Sequence, residues 1–447
     1  MKKIFLFLLL FTISFSVAGC FKKKTPKYPQ VTLEIWGVFD DSDVYNRLNT
    51  DFARLNPRVA DVKYKKIANN IPDFENQILK AMANGTAPDI IYFKSSWLPK
   101  HGDKIVPEPD SESDLARFKQ SFIDVAYNDF VYKNKIYAKP LYCDSLALYY
   151  NNHLLNQAGI TSPPKTWAEL KKDVQLLTKI DKFGNILQSG IALGRAKNPG
   201  AVNRASDILM LLMMQGGAVM NKNNTLEADF HTSRLANIDP GVEALKFFTS
   251  FTDSSKPWYS WNAKQDYSVD SFRYGRTAMM INYSYWYDRL KKSDPKLDFS
   301  IAPVPQTTGV SAVNYPSYWG LAVVKNRALP QNANYNNDYR IKVAWQYINF
   351  VTNPRNSDLT GYDPTLEYLK QTHKPPARRD LINVFKNDVV LGPFAQQALT
   401  ARSWRQVDNN AVEAIFNDMI DSVNRGLATY EEAVNTAQER INALVRK

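Results

Sequence analysis

The spacing of apolar residues in the first part of the chain switches repeatedly between the strand period and the helix period. Residues 31–36 alternate apolar and polar side chains, whereas residues 44–55 place their apolar side chains on one helical face. A second strand pattern (59–67), a second helical pattern (74–82) and a third strand pattern (89–93) follow. Strands that alternate with helices in this way predict an α/β fold with a mostly parallel sheet.

Helical patterns dominate after residue 178. Residues 208–214 are apolar on all sides, which predicts a buried helix. Further helices are predicted at 242–251 and 343–351 and at two positions within 411–444, and further strands at 298–305 and 318–325. We found no internal repeat and no low-complexity segment.

The most informative stretch is residues 136–178, which combine a strand, a turn and a capped helix. Pro163 and Pro164 break the chain, and Thr166 with Glu169 three residues later is a capping-box pattern at a helix start. These linked elements resemble the signature of extracellular solute-binding proteins of ABC sugar importers, of the maltodextrin-binding type. The resemblance runs from Val31 to Leu444 and also includes the segments FARLNPRV, ILKAMANGTAPDII and FRYGRTAMMIN.

This resemblance implies a two-lobed periplasmic-binding-protein fold of type II, in which discontinuous lobes are joined by hinge strands. The order of the segments assigns residues 31–141 and 318–390 to lobe one, and residues 147–314 and 394–447 to lobe two. The hinge is then expected near residues 141–146, 314–318 and 390–394.

The N-terminus has the pattern of an export signal. Two lysines precede the apolar run 4–18, which is shorter than the ~20 residues that span a bilayer. Val17-Ala18-Gly19-Cys20 resembles a bacterial lipobox, which implies that Cys20 carries lipid; the alternative is an ordinary cleaved signal with an incidental cysteine. We expect a signal peptide at 1–19, a lipid-anchored tether at 20–30 and a location at the cell membrane, facing the extracellular or periplasmic side.

Composition and charge narrow the class of protein. The chain of 447 residues is 44% hydrophobic and 22% charged, as in an ordinary globular protein. Its formal charge of +12 falls to +10 without residues 1–19, and the basic residues are scattered, so we expect no nucleic-acid partner. If Cys20 carries lipid, Cys143 has no partner for an intramolecular disulfide. No apolar run after Ala18 approaches a membrane span, so the chain is not itself expected to be a permease.

Sequence motifs for catalysis and cofactors are missing. The chain has no GxxxxGK[ST] phosphate loop, no HExxH and no GxSxG, and its four histidines are far apart in sequence. We therefore predict that the protein is not an enzyme and has no cofactor, no metal site and no catalytic residue. ATP hydrolysis would belong to a separate subunit.

Aromatic residues beside the predicted strand ends indicate a binding cleft. In open α/β sheets ligands bind at the carboxyl ends of strands, which makes loops 37–43 and 94–99 candidates. A sugar has apolar C–H faces and polar rims, so its site needs flat aromatics with a few carboxylates and amides. The candidate ligand-binding residues are Trp36, Asp40, Asp41, Ser96, Trp97, Asp144, Tyr285, Trp286, Tyr318, Trp319 and Trp404.

These residues also have structural interpretations that the sequence leaves open. Each tryptophan alone is typical of a core, and the acidic run from Asp40 fits helix capping. Asp144 lies at the position where the resemblance implies a carboxylate that binds sugar hydroxyls, but Asp replaces Glu there, and a local capping role stays open. Trp286 (or Tyr285) and Trp404 correspond to stacking aromatics of that family.

The leading hypothesis is a monomeric, lipid-anchored receptor that closes on a carbohydrate, in particular an oligosaccharide, and delivers it to an ABC permease. The alternative is the same fold with a non-sugar ligand (a polyamine, metal chelate or sugar phosphate). Arg378 and Arg379 are the reason to keep an anionic ligand among the alternatives. A role as a sensor also stays open. A surface glycosidase is disfavoured because only Asp144 stands out among the carboxylates of the crossing segment.

Overall fold

The computed structural model describes residues 28–109, 111–235, 238–354 and 362–446. The predicted signal peptide and most of the predicted tether, including Cys20, lie outside the described residues.

The described chain alternates short strands and helices. The strands are β1 (Val31–Gly37), β2 (Val59–Lys66), β3 (Ile90–Lys94), β4 (Ile105–Val106), β5 (Val131–Tyr132), β6 (Lys135–Ile136), β7 (Lys139–Pro140), β8 (Asp144–Ser145), β9 (Ala147–Asn151), β10 (Lys179–Ile180), β11 (Ile186–Ile191), β12 (Ala218–Asn221), β13 (Ala228–Ser233), β14 (Thr277–Asn282), β15 (Phe299–Pro303), β16 (Pro316–Ser317) and β17 (Trp319–Val324). The helices are α1 (Asp43–Leu55), α2 (Ile71–Ala83), α3 (Leu98–His101), α4 (Ser111–Ser121), α5 (Asp124–Phe130), α6 (Asn152–Gln157), α7 (Trp167–Leu177), α8 (Ala205–Gln215), α9 (Pro240–Thr249), α10 (Ser268–Arg273), α11 (Trp286–Ser293), α12 (Asn337–Thr352), α13 (Pro364–Thr372), α14 (Arg379–Phe385), α15 (Gly392–Gln397), α16 (Asn409–Asn424) and α17 (Tyr430–Val445).

The first sheet has the strand order β2-β1-β3-β17-β4, and β7 pairs with β17. β1 runs parallel to β2 and β3, as the strand–helix alternation predicts. β17 enters the sheet from a distant part of the chain and pairs antiparallel with β3, so only part of this sheet is parallel. All five residues of β3 are buried, because helices and loops cover both faces of this central strand.

The second sheet has the order β10-β11-β14-β9-β15 and is mostly antiparallel. The predicted capping box at α7 is present: Thr166 accepts from the backbone of Glu169, and the side chain of Glu169 bonds back to the backbone of Thr166. α8, predicted as a buried helix, is buried at all eleven residues. Among the helices within the described ranges, none is long and apolar enough to cross a lipid bilayer.

Two short strands connect the sheets. β8 and β16 pair antiparallel with each other, and they precede β9 and β17 respectively. The backbone N–H of Leu146 also donates to Tyr315 O at 3.2 Å, and that of Leu141 donates to Trp319 O at 3.1 Å. We call β8 and β16 with their neighbouring residues the crossing segments.

The hydrophobic side chains form separate cores on the two sides of the crossing segments. One core contains residues of β1–β3, α2, α12 and β17, and we call this part the first lobe. The other cores contain residues of β9, α7–α9, β14, β15 and α16, and we call this part the second lobe. Near the third predicted hinge, Phe394 packs in the second lobe and Ala395 in the first. The exact predicted lobe and hinge boundaries stay a prediction.

Candidate ligand-binding cleft

Asp144 lies in a crossing segment, and its carboxylate ties that segment to the second lobe. The backbone N–H and the hydroxyl of Ser284 donate to Asp144 Oδ2 at 3.0 and 2.8 Å, and Ser145 N–H donates to Oδ1 at 2.9 Å. Burial raises the pKa of Asp144 to about 7, and the hydrogen bonds from Ser284 offset this only in part. In this conformation the carboxylate positions the loop that starts at Ser284.

That loop presents aromatic rings at the carboxyl end of β14. Tyr285 is 41% exposed, and its ring stacks on Tyr283 with a centroid distance of 6.1 Å. The guanidinium of Arg289 lies 5.0 Å from the Tyr285 ring centre and 5.3 Å from that of Trp286. Trp286 is half-buried, and its indole N–H has no protein partner. A partly exposed aromatic ring such as that of Tyr285 is suited to a ring-shaped polar ligand.

Asp40 is buried in the first lobe and accepts hydrogen bonds from Tyr92, Tyr368 and Lys374. Burial alone would raise the pKa of Asp40, but the Lys374 charge and these hydrogen bonds outweigh burial and hold it below its usual range. Asp40 fixes Lys374, whose ammonium lies 4.6 Å from the ring centre of Tyr142 in the crossing segment. Asp40 thus holds the Lys374 side chain in place. The neighbouring Asp41 is exposed and pairs with Lys66 at 3.0 Å.

Four other predicted aromatics lie in the first lobe, three of them buried. Trp97 is 2% exposed, and its ring contacts Trp319 at a centroid distance of 5.2 Å. Trp319 is 3% exposed, and Tyr318 is fully buried. Trp36 is half-buried on the face of β1 that carries Glu34, to which its indole N–H donates at 2.8 Å. The structure does not bring these residues together with Tyr285.

A cavity of about 510 Å³ lies between the lobes. The first lobe supplies Ser95, Ser96 and Asp129, and the segment that leads into α16 supplies Trp404 and Gln406. The Ser96 hydroxyl has no protein partner, and the Trp404 ring packs on Phe230 with its N–H directed to Met210 Sδ at 3.1 Å. Two of the predicted residues, Ser96 and Trp404, therefore face one cavity from opposite sides.

Asp129 closes one wall of this cavity. Its carboxylate accepts from Tyr318 Oη at 2.6 Å and from the hydroxyl of Ser403, so it joins α5, a crossing segment and the chain that leads to α16. Burial raises the pKa of Asp129 to about 7, against the effect of these two hydrogen bonds.

Charged residues that the sequence analysis missed meet between the lobes. Lys94, at the carboxyl end of β3, is buried, and its ammonium lies 3.0 Å from the side-chain amide of Asn409 when the amide oxygen faces it. Burial and the Arg204 guanidinium lower the pKa of Lys94 to about 8. Arg204 pairs with Asp207 at 2.6 Å and Glu413 at 3.4 Å.

These charged residues differ in whether the amino-acid sequence indicates their position between the lobes. Lys94 is the last residue of the buried strand β3 and falls in the candidate loop 94–99, so its position was a usable signal. Arg204 sits at φ 60°, a left-handed conformation that costs a non-glycine residue about 1–3 kcal/mol and is concentrated at functional sites. Nothing in the local sequence of Arg204 or Glu413 indicates that they meet.

The cavity between the lobes is therefore lined by hydroxyl, amide and carboxylate groups together with aromatic residues. Such surroundings bind an uncharged polar solute through many directed hydrogen bonds. The two arginines that suggested an anionic ligand are already paired within the protein. Arg378 pairs with Asp363 and Asp380, and Arg379 pairs with Asp124.

Comparison with known proteins agrees with this architecture. A family model described as bacterial extracellular solute-binding protein matches residues 50–358. The chain belongs to this family. The cyclic alpha-maltosyl-1,6-maltose binding protein from Arthrobacter globiformis has a similar structure, with a TM-score of 0.71 at 19% identity, over 93% of this chain and 99% of that protein. The two-lobed α/β prediction is thus confirmed.

Two sequence relatives match over different shares of the chain. The maltotriose-binding protein of Pyrococcus abyssi is 24% identical over 80% of this chain and 69% of its own length. A putative binding protein of Brucella abortus is 27% identical over 49% of this chain, and the chain spans about half (50%) of that relative's length. These relatives are binding proteins by name.

Proposed function

We propose that this family member captures a carbohydrate, in particular an oligosaccharide, between its two lobes and delivers it to the permease of an ABC importer whose ATPase is a separate subunit. The observation that carries the proposal is the cavity of about 510 Å³ whose walls come from both lobes. A ligand that contacts both walls favours the closed arrangement over the open one, because it gains those contacts only when the lobes meet.

Side chains of both lobes support a sugar ligand. The Ser96 hydroxyl, which lines the cavity, has no protein partner; outside the cavity wall, Tyr285 is 41% exposed and Trp286 is half-buried. We propose that these residues and Trp404 contact the sugar. Asp144 acts by holding Ser284, and Asp40 by holding Lys374. The buried rings of Trp97, Trp319 and Tyr318 support the cleft from within the first lobe.

The membrane association and the oligomeric state are also proposals. The lipobox-like sequence that ends at Cys20 supports a lipid anchor at the outer side of the cell membrane, with residues 20–30 as the lipid-anchored tether. The scattered basic residues support weak attraction to an anionic surface and no nucleic-acid partner. We propose that the protein acts as a monomer, without enzymatic activity, cofactor or metal.

The test is a thermal-shift screen of the mature domain, residues 28–447, against mono- and oligosaccharides. A ligand at 100 times its Kd stabilises the native state by about 2.7 kcal/mol, which raises the melting temperature measurably. Sugar phosphates and polyamines form the comparison set. A stabilising polyamine or phosphate in the absence of any stabilising sugar would overturn the carbohydrate assignment.

Closure has a separate measurement. Small-angle X-ray scattering should give a smaller radius of gyration at saturation with a stabilising sugar than without it. An unchanged radius at saturation would contradict closure of the two lobes.

A further inference from the structure

A lysine on the first lobe bridges carboxylates of both lobes. Lys100, on α3, places its ammonium 2.7 Å from Glu75 Oε1 on α2 and 2.7 Å from Asp408 Oδ2. α2 contributes to the first core, whereas Asp408 is the N-cap of α16, which contributes to the second. The amide of Asn410 in α16 also donates to Glu75 Oε2 at 3.3 Å. We call Glu75, Lys100, Asp408 and Asn410 the interlobe cluster.

Each side of the cluster is held in place by its own lobe. His101 Nε2 lies 2.8 Å from Glu75 Oε1, so Glu75 is fixed within the first lobe and in turn holds Lys100. On the second lobe, Asp408 Oδ1 accepts the backbone N–H groups of Asn410 and Ala411, which leaves Oδ2 directed at Lys100. Because both partners are ordered before they meet, their contact costs little side-chain entropy.

The surroundings make this contact stronger than a typical surface ion pair. The side chain of Glu75 is 8% exposed, and those of Lys100 and Asp408 are 29% and 30% exposed. The hydrogen bond from His101 lowers the pKa of Glu75 to about 2, against burial and together with Lys100, so Glu75 is ionised at neutral pH. A partly dehydrated cation between two carboxylates is screened less by salt than an exposed pair.

The cluster also adjoins a second contact between the lobes. Asn409 lies between Asp408 and Asn410 in the chain, and its amide faces Lys94 of the first lobe. Contact of the α16 N-terminus with Lys100 therefore brings Asn409 to Lys94, and separation of the lobes would break both contacts.

We propose that Lys100, Glu75 and Asp408 form an electrostatic clamp that holds the lobes closed and thereby sets how long a ligand stays bound. The proposal rests on the proposed function, because it assumes a ligand that is captured between the lobes. The clamp lies outside the cavity described above, so it acts on the closed arrangement and not on the ligand itself.

The test compares Asp408→Asn with wild type in stopped-flow binding to whichever sugar the thermal-shift screen identifies. Asn keeps an N-cap acceptor and removes the charge, so α16 should remain intact. We expect the dissociation rate constant to rise about 3- to 10-fold, with the association rate constant within about 2-fold of wild type. Lys100→Gln should raise the dissociation rate constant in the same way. Lys100→Arg keeps the positive charge and should leave the dissociation rate constant close to that of wild type.

A control variant removes a comparable ion pair within a single lobe. Lys197 pairs with Asp418 at 2.5 Å in the second lobe, so Lys197→Gln loses the same kind of contact without touching the first lobe. Its dissociation rate constant should equal that of wild type. If Asp408→Asn and Lys197→Gln give the same rate constant, the clamp is refuted.

Failure of the clamp and failure of the proposed function give different results. If no carbohydrate stabilises the protein, the carbohydrate assignment fails, and the same comparison of dissociation rates is made with the polyamine or sugar phosphate that stabilises it. Equal rate constants for wild type and Asp408→Asn with that ligand would refute the clamp. If a sugar binds and the dissociation rates of wild type and Asp408→Asn are equal, only the clamp fails.

Discussion

Replacement of Asp144 by Asn tests whether a buried carboxylate holds the crossing segment to the second lobe. Asn has the same shape, but one of its two polar atoms is a donor. That donor faces the N–H or the hydroxyl of Ser284, which now donate to Asp144 at 3.0 and 2.8 Å. Loss of one or two buried hydrogen bonds to a charged group costs about 2–4 kcal/mol when the carboxylate is their acceptor.

The size of this loss depends on pH, because burial raises the pKa of Asp144 to about 7. Between pH 4 and pH 7 the native state then binds more protons at this site than the unfolded state does. The contribution of Asp144 to stability is therefore greatest at low pH and decreases as pH rises through this window, by up to about 1.4 kcal/mol per pH unit. Asn does not titrate, so the stability of the Asp144→Asn variant lacks this dependence on pH.

The expected result is a difference that changes with pH. The free energy of unfolding of wild type minus that of Asp144→Asn should fall by about 2–3 kcal/mol between pH 5 and pH 7. Urea unfolding followed by tryptophan fluorescence at several pH values measures it. Sugar affinity at pH 7 should also fall, because the loop that carries Tyr285 loses its anchor.

An exposed carboxylate supplies the control. Hydrogen bonds from Asn185 lower the pKa of Asp181, so its contribution is lost only as pH falls below about 4. Asp181→Asn should therefore differ from wild type by the same amount at pH 5 and pH 7. If the difference in free energy of unfolding between wild type and Asp144→Asn is also the same at pH 5 and pH 7, the argument that burial raises the pKa of Asp144 is refuted.

Three further substitutions probe the cleft, the first sheet and the anchor. Tyr285→Ala should weaken sugar binding about 10-fold by calorimetry, because it removes the exposed ring face; Tyr274→Ala, which removes an exposed tyrosine near the other end of β14, should not weaken it. Gly320→Ala should lower the free energy of unfolding in urea by about 1–3 kcal/mol, since a Cβ there would lie 2.6 Å from Lys139 O. An unchanged urea midpoint would contradict this close packing. Cys20→Ala should move the protein from the membrane fraction to the soluble fraction; mass spectrometry that shows an unmodified Cys20 in the wild type would refute lipidation.

Much of the fold could be predicted because local patterns and tertiary packing agree. The period-2 alternation at 31–36 and the helical stripe at 44–55 became β1 and α1, since each apolar face has a core to pack against. The capping boxes at Thr166 and Thr429 start α7 and α17 as expected, because their hydrogen bonds are local. The family resemblance, carried by the order of these segments, also implied two lobes.

Strand direction was harder to predict than strand position. β17 pairs antiparallel with β3, although residues 31–94 alone indicate a parallel sheet. Apolar spacing reports which residues are buried, whereas direction depends on where a distant segment enters the sheet.

In the candidate site, too, residue type and sequence position were easier to predict than tertiary surroundings. Sequence position and the family resemblance made Asp144, Tyr285, Ser96 and Trp404 candidates, and their role in ligand binding stays a prediction. Neither separated these residues from Trp97 and Trp319, whose rings fill the first core, since aromatic residue type is the same in a cleft and in a core.

The amino-acid sequence by itself determined the local elements, because these depend on short-range periodicity and capping, and its motifs carried the family resemblance that implied two lobes. Only the tertiary structure decided which charges meet. Lys94, Arg204 and Glu413 come from separate parts of the chain, as do Lys100 and Asp408, and each group is brought together by the approach of two separately packed lobes. No pattern of neighbouring residues encodes that approach.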